Sequence, residues 1–556
     1  MAAASVLDLS PEIPAVAVTP WRPRINPWII AMTVTLATFM EVLDSSIANV
    51  ALPHIAGGLG ATQDEATWVL TAYLVANAVI LPAGAYMTTF IGRKKFYMIC
   101  VALFGISSAL CGLAPTLPIL VFCRILQGIG GGGLAPSEQA ILADTFPPEK
   151  RGQAFAMYGL AVVCAPAIGP TLGGYITDNF DWRWIFYLNV PICLISLFLT
   201  SRIVEDPPYV KEEVKKNQRG GVRLDLLGFG LVALTFGSLE FVLDKGQEDD
   251  WFGSKLIAFF VTTCVVAFVA LIWWELKQLR EAKKPLLNLT LFTRPQFAIS
   301  FMLMFVLGFS LYGTTILIPQ FVQTLLGYTA ELAGLVLSPA GLMMMCMMPV
   351  VGFLSGKVDP RKLIGFGFLN LTLSLLWMAN LNLQLSYGQL VFMRIFQASG
   401  LAFLFIPINT IAYIGVKQSE NNDVSGLTNL ARNIGGSCGT AFMATMLTRR
   451  TAAHETSIVR DLTPANPGYR AWLHSLQGAF KGGNGTGPAN AAGGHGASLG
   501  ATHAAQLYIY NMMHRQAATL AYVDIIRYLT IFCAAMIPLL FFIPKPPKNA
   551  SPSAGH

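Results

Sequence analysis

The sequence predicts an all-α polytopic membrane protein of fourteen helices, arranged as six, two inserted and six more, with both termini in the cytoplasm. Three observations lead there. Of the 556 residues, 54% are hydrophobic and only 12% charged, which is far from the composition of a soluble globular domain. Apolar runs of about 20 residues, the length that crosses the hydrocarbon core of a bilayer, recur along almost the whole chain. The lysines and arginines gather in short clusters between these runs, as they do in cytoplasmic loops.

The expected spans are residues 27–52, 66–89, 96–114, 118–143, 153–177, 182–201, 224–243, 255–275, 297–325, 330–354, 362–382, 389–415, 424–447 and 518–543. With the N-terminus inside, the loops after even-numbered spans are cytoplasmic. They carry Arg93, Lys94 and Lys95, then Lys150 and Arg151, then Lys211, Lys215, Lys216, Arg219 and Arg223, then Lys277, Arg280, Lys283 and Lys284, then Lys357, Arg361 and Lys362. The short outer loops hold only Arg183, Lys245 and Lys255. That asymmetry fixes the orientation, with Arg22 and Arg24 holding the N-terminus inside and Lys545 and Lys548 the C-terminus. The net charge of +7 is dispersed over these loops, so no nucleic-acid partner is expected.

The chain divides into a cytoplasmic tail (1–26), a six-helix bundle (27–201), a cytoplasmic linker with two inserted helices (202–296), a second six-helix bundle (297–543) and a cytoplasmic tail (544–556). Within the second bundle, 448–517 reads as a long extracytoplasmic loop. Its glycine and alanine tract from Gly478 to Gly500 reads as flexible, and Asn484-Gly485-Thr486 matches a glycosylation sequon. No cleavable leader is expected, because the proline-rich first 26 residues lack a basic and then apolar signal pattern. An internal repeat supports two parallel halves. Arg124-Ile-Leu-Gln127-Gly128-Ile-Gly130 in span four recurs as Arg394-Ile-Phe-Gln397-Ala398-Ser399-Gly400 in span twelve, and Gly92-Arg93-Lys94-Lys95 has a looser echo in Lys357-Val358-Asp359-Pro360-Arg361-Lys362. Transporters with such repeats bind their substrates between the halves.

Charges inside apolar runs are expensive and therefore informative. Arg124 needs an acidic partner, and Asp44 is the candidate: at 1.5 Å per residue Asp44 lies at a depth of about 12 Å and Arg124 at about 9 Å from the outer end of their spans. A buried carboxylate beside a guanidinium can load and release a proton; a static neutralised pair is the alternative. Glu41, one turn before Asp44, would extend a relay towards the midplane. Glu138 is either a second titratable site or a group wetted from the cytoplasm. Arg432 in span thirteen is expected to snorkel towards the cytoplasm, and Glu240 to lie near the outer interface. Pro166, Gly169, Pro170, Gly173 and Gly174 in span five suit a bend or a close helix contact.

The chain has no GxxxxGK[ST] phosphate loop and no HExxH. The nine cysteines show no metal-ligand spacing and read as small core residues. No enzyme activity, metal or cofactor is expected, so uphill transport would draw on an ion gradient.

Four stretches carry a resemblance. Leu43-Asp44-Ser45-Ser46-Ile47-Ala48-Asn49-Val50-Ala51-Leu52-Pro53, Arg124 to Gly130, Gly169-Pro170-Thr171-Leu172-Gly173-Gly174, and Trp182 to Pro191 resemble motifs of the major facilitator superfamily, in particular its 14-helix drug:proton antiporters of the EmrB/QacA type. The resemblance extends over about residues 27–543. It implies proton-driven efflux of drug-like hydrophobic compounds across the inner (cytoplasmic) membrane, with protons and membrane lipid as the other contacts. It also implies a periplasmic adaptor protein and an outer-membrane channel as partners in double-membraned bacteria. A dedicated exporter of one metabolite, lipid or siderophore is the alternative, and a transport-inactive membrane sensor a remote one. The family's inner-gate loop usually has an aspartate just before its GR[RK]. Here Thr89 or Phe90 holds that register before Gly92, Arg93 and Lys94, so the expected charge latch is incomplete.

Overall fold

The computed structural model describes residues 23–219, 225–281, 283, 285–482 and 501–542, and among them no strand occurs. The helices are α1 (Pro27–Leu59), α2 (Gln63–Ile91), α3 (Arg93–Leu113), α4 (Leu117–Thr145), α5 (Arg151–Asn179), α6 (Trp184–Ile203), α7 (Leu226–Lys245), α8 (Lys255–Arg280), α9 (Pro295–Thr324), α10 (Ala330–Ser355), α11 (Pro360–Met378), α12 (Tyr387–Ala412), α13 (Asn421–Val459) and α14 (Ala501–Ala535). Short helices at Pro208–Arg219 and Pro467–Gly482 stand beside them. Start signals act where the sequence offers them. The Asn26 side chain accepts from the backbone N–H of Trp28 at 3.0 Å, ahead of Pro27 in the first turn, and Ser386 and Gln389 form a capping box on α12.

Eleven of these helices are long and apolar enough to cross a membrane, and twelve when the bent α5 counts as one span. The other two are α11, whose mean hydropathy is lowered by Arg361, Lys362 and Asn370, and α13, whose polar side chains face inward. Asn421, Asn422, Ser425, Thr428, Asn429 and Arg432 of α13 are all buried. A hydropathy average undercounts a helix that turns a polar stripe to the interior.

The packing repeats. α1 packs on α5 as α9 packs on α13, α2 on α4 as α10 on α12, and α3 on α4 as α11 on α12. The two sets meet along α5 with α10 and along α2 with α13. α7 and α8 pack on each other, and α7 lies against α2 and α13, over that second seam. α8 is largely exposed, with Phe259, Val266, Val269 and Trp273 on its outer surface, as suits a helix in lipid.

Two expectations need correction. Residues 448–517 are not mainly loop: α13 runs on to Val459, Pro467–Gly482 is helical and α14 begins at Ala501. The extensions are tied by polar side chains, with Arg450 Nη2 2.6 Å and His454 Nε2 2.8 Å from Asp524 Oδ2, so the helices persist where apolarity stops. Residues 483–500 of the glycine and alanine tract, the sequon and the segment bearing Lys545 and Lys548 lie outside the described residues, as do Arg22 and Arg223. Glu240 is buried and accepts a hydrogen bond from Ser437 Oγ at 2.6 Å; it is a contact between α7 and α13 rather than an interfacial charge.

Candidate functional site

Asp44 and Arg124 meet as the depth argument requires. Arg124 Nη1 lies 2.6 Å from Asp44 Oδ2, and both side chains are shut off from solvent. Asp44 Oδ1 accepts from Gln127 Nε2 at 3.0 Å and from Asn189 Nδ2 at 2.6 Å. Arg124 also donates through Nε to the Val69 carbonyl at 3.1 Å and through Nη1 to Gln127 Oε1 at 2.8 Å, and its guanidinium lies 4.2 Å from the centre of the Tyr73 ring. Charge, hydrogen bonds and a ring face thus compensate the cost of an arginine at this depth. The result is a buried, hydrogen-bonded ion pair in which Arg124 Nη2 is left without a partner.

Glycine makes the close approach possible. A Cβ on Gly128 would lie 2.9 Å from Ala76 Cβ in α2, and one on Gly130 would lie 2.7 Å from the backbone nitrogen of Phe104 in α3. α4 is therefore wedged between α2 and α3. In α5, which bends by 43° between Pro148–Pro166 and Thr171–Asn179, a Cβ on Gly169 would collide with Ser46 of α1, and one on Gly173 would press on Ile47 at 3.1 Å. The contact with α1 falls just beyond Asp44. Gly174 has nothing within 4 Å and does not share the contact role. The side chain of Pro170 lies outside the described residues.

Glu41 does not touch Asp44. Its Oε1 accepts from Tyr73 OH and Asn77 Nδ2 of α2, each at 3.1 Å, and Tyr73, whose ring lies 4.2 Å from the Arg124 guanidinium, stands between it and the pair. Glu138 is fully buried, with Oε1 accepting from Thr35 Oγ1 at 2.5 Å and Oε2 unpartnered; it is not a group wetted from the cytoplasm here. Arg432 does not snorkel. It is buried and donates to Tyr158 OH at 2.6 Å, Tyr158 donates to Asn429 Oδ1 at 2.9 Å, and Asn429 donates to Gln139 Oε1 at 2.9 Å. That chain crosses between the halves, which is why the charge stays inside.

The aspartate is missing before Gly92 as the sequence reads, and Arg93 finds an acid elsewhere. Arg93 forms a buried ion pair with Asp144 at the inner end of α4 and reaches the Gln418 carbonyl at 3.3 Å, while Asn421 Nδ2 donates to Asp144 Oδ1 at 2.8 Å. Asp206 takes the neighbouring load, accepting from the Lys94 backbone N–H at 2.9 Å. Gly92 sits at φ 86°, where a Cβ would also lie 2.8 Å from Asp206 Oδ2, so glycine is needed there. In span twelve, Arg394 is buried; Nη1 donates to Gln397 Oε1 at 2.5 Å and Nε has no partner.

Residues 34–440 match the Major Facilitator Superfamily. The chain belongs to that family. It is 35% identical to the multidrug export protein EmrB of Escherichia coli (strain K12) over 451 residues, 81% of this chain and 86% of that protein. It is 37% identical to the fatty acid resistance protein FarB of Neisseria gonorrhoeae over 450 residues, covering 80% and 85% of the two chains. Among solved structures, the proton:xylose symporter XylE superimposes with a TM-score of 0.55 at 15% identity, over 93% of this chain and 96% of that one. This last likeness concerns the fold alone.

Several polar partners in this major facilitator superfamily transporter were not singled out from sequence. Asn189 lies unmarked within the Trp182 to Pro191 run, yet its amide joins Asp44 to Ser108 Oγ, 3.0 Å away. Tyr73 and Asn77, four residues apart and hence on one helical face, were an available signal for the Glu41 site. Nothing in the sequence marks Asp144 as the partner of Arg93 beyond its position at the inner end of α4.

Proposed function

We propose that the protein is a proton-driven exporter that moves hydrophobic or amphipathic compounds, drugs among them, out across the cytoplasmic membrane by alternating access. The observation that carries the reading is the buried Asp44 and Arg124 pair with its hydrogen-bonded shell, in a family of transporters whose 35%-identical relative is named a multidrug export protein. Protonation of Asp44 from outside removes the charge that holds Arg124, loosens α1 from α4, and shifts α5 through the Ser46 and Gly169 contact. Release of that proton inside resets the pair. Glu41 and Glu138 are further proton-carrying candidates on the same half. Moving one charge through about 100 mV supplies about 2.3 kcal/mol, so one proton per cycle does useful work without nucleotide or organic cofactor.

In this reading the chain crosses the membrane fourteen times, and residues 27–201 and 297–543 rock as two bodies with the inserted pair 202–296 at their side. The Arg93 latch and the Tyr158 chain hold the inner end closed, leaving the substrate path to open outward. The helical extensions within 448–517 are the surface offered to an adaptor protein and, through it, an outer-membrane channel. Dye accumulation in cells expressing wild type, Asp44→Asn or Arg124→Ala at matched levels, with and without protonophore, tests the reading. Wild-type cells should accumulate less dye, and the protonophore or either substitution should abolish the difference. Efflux that survives the protonophore would overturn proton coupling, and a wild type that moves no dye would favour a single-substrate exporter.

A further inference from the structure

The two halves repeat the arginine motif but not its neutralisation. In the first half Gln127 Nε2 donates to Asp44 at 3.0 Å while Arg124 pairs with the same carboxylate. In the second half Gln397 Nε2 donates at 3.0 Å to the Thr314 hydroxyl of α9. Thr314 thus stands where Asp44 stands, and it carries no charge. Arg394 is only 7% exposed, and among the described residues no carboxylate pairs with it; Nη1 donates to Gln397 Oε1 and Nε is buried without a partner. A guanidinium has five N–H donors, so most of its hydrogen-bonding capacity and all of its charge are left uncompensated, which is costly at this depth. The space beside it limits what can answer. Arg394 and Gln397 line a small pocket with about 70 Å³ of internal space, walled by Val162 of α5, Tyr312 of α9, and Leu337 and Met344 of α10. One water takes about 30 Å³ in the liquid, and drug-sized ligands need about 300 Å³ or more. The pocket therefore suits a bare ion or a few waters and is too small for an organic acid. Water would satisfy the free N–H groups and leave the charge; a halide answers both.

We propose that the pocket beside Arg394 binds one small monovalent inorganic anion, chloride in the cell, which takes in the second half the place that the Asp44 carboxylate takes in the first. The anion accepts from the free N–H groups of the guanidinium. The apolar walls favour a single, weakly hydrated charge over phosphate or sulfate, whose dehydration costs far more. Because α5 meets α10 at this pocket, the ion neutralises the second half at the seam with the first. The site goes beyond the export reading and does not rest on it.

The test is thermal unfolding of the purified full-length protein in a neutral detergent, with potassium gluconate exchanged stepwise for potassium chloride at constant ionic strength. The wild-type midpoint should rise with chloride and then saturate, by about 3 °C once chloride reaches about a hundred times its dissociation constant. Bromide should act as chloride does, and sulfate should not. The chloride NMR line should broaden in the presence of the wild type and stay narrow with Arg394→Gln. Thr314→Asp supplies a carboxylate at the position equivalent to Asp44, so its midpoint should no longer respond to chloride and should lie above that of the wild type in gluconate. A wild-type midpoint indifferent to chloride, a sulfate effect as large as that of chloride, or a chloride response that persists in Thr314→Asp overturns the proposal. Should Arg394→Gln fail to fold, Thr314→Asp decides, because it adds the missing charge where the other variant removes one. These measurements need no gradient. A chloride effect without dye efflux would sink export and leave the site, and efflux without a chloride effect would do the reverse.

Discussion

Replacing Asp44 by asparagine keeps the side-chain volume and removes the one negative charge beneath Arg124. In the native arrangement Asp44 accepts from Arg124 at 2.6 Å, Gln127 at 3.0 Å and Asn189 at 2.6 Å. An asparagine offers one accepting oxygen and points an amide N–H at groups that also donate. The lost charge-assisted bond accounts for about 1.5–3 kcal/mol, whereas leaving the guanidinium buried without counter-charge costs about 3–5 kcal/mol. The charge dominates, so Asp44→Asn should destabilise the protein by about 3–5 kcal/mol. Asp44→Asn combined with Arg124→Gln removes both charges and should recover most of that loss, because neutral replacement of a buried pair is often close to neutral in stability. Transport should not return with it, since no group at this site can then exchange a proton. The assay is the thermal unfolding midpoint of the purified single and double variants in one detergent, beside protonophore-sensitive dye efflux at matched expression. A single variant as stable as wild type, a double variant no better than the worse single, or efflux retained by Asp44→Asn would each refute the reasoning.

Other consequences follow from the same geometry. Arg93→Ala breaks a buried ion pair at the inner end, and the roughly 3–5 kcal/mol involved is enough to reverse the balance between inner-closed and inner-open states. Spin labels on the inner ends of α5 and α10 should then report a longer-distance population absent from wild type. Tyr158→Phe strips Arg432 of its hydroxyl partner and should weaken the closed inner end by about 1.5–3 kcal/mol, seen as faster alkylation of a cysteine placed at the interface from the cytoplasmic side. Gly130→Ala pushes a methyl group into the α3 backbone and should cost about 1–3 kcal/mol, whereas Gly174→Ala meets open space and should leave yield and unfolding midpoint unchanged. Replacing external sodium by choline should leave efflux intact, while dissipating the proton gradient should stop it.

Much of this was legible in the sequence because a membrane makes its demands visible. Apolar length located the helices, loop charge oriented them, and the cost of Arg124 in hydrocarbon required a partner that Asp44 alone supplied at the right depth. The repeated Arg, Gln and Gly spacing revealed the paired halves. The failures share one cause, which is that interior polarity depends on neighbours distant in sequence. Arg432 looked close enough to the cytoplasm to snorkel, and it stays inside because Tyr158 of α5 receives it. The sequence position expected to pair Arg93 holds no acid, and Asp144 of α4, far off in sequence, stands beside it instead. The helices within 448–517 continue past the apolar runs because Asp524 ties Arg450 and His454 together, a contact no window average contains.

The inserted pair changes how a membrane-dissolved compound can reach the interior. α7 is fixed to both sides of one seam, to α2 through Thr71 and Asp244 and to α13 through Ser437 and Glu240, and the turn after it reaches α13 through Trp251 and Thr445. With α8 behind it, that flank is walled off from the bilayer. Among the described residues the seam where α5 meets α10 has no such cover, and it borders a pocket lined by Pro166, Met344 and Arg394. If the protein exports hydrophobic compounds as proposed, a molecule arriving sideways from the lipid would have one approach instead of two, leading past the bend in α5.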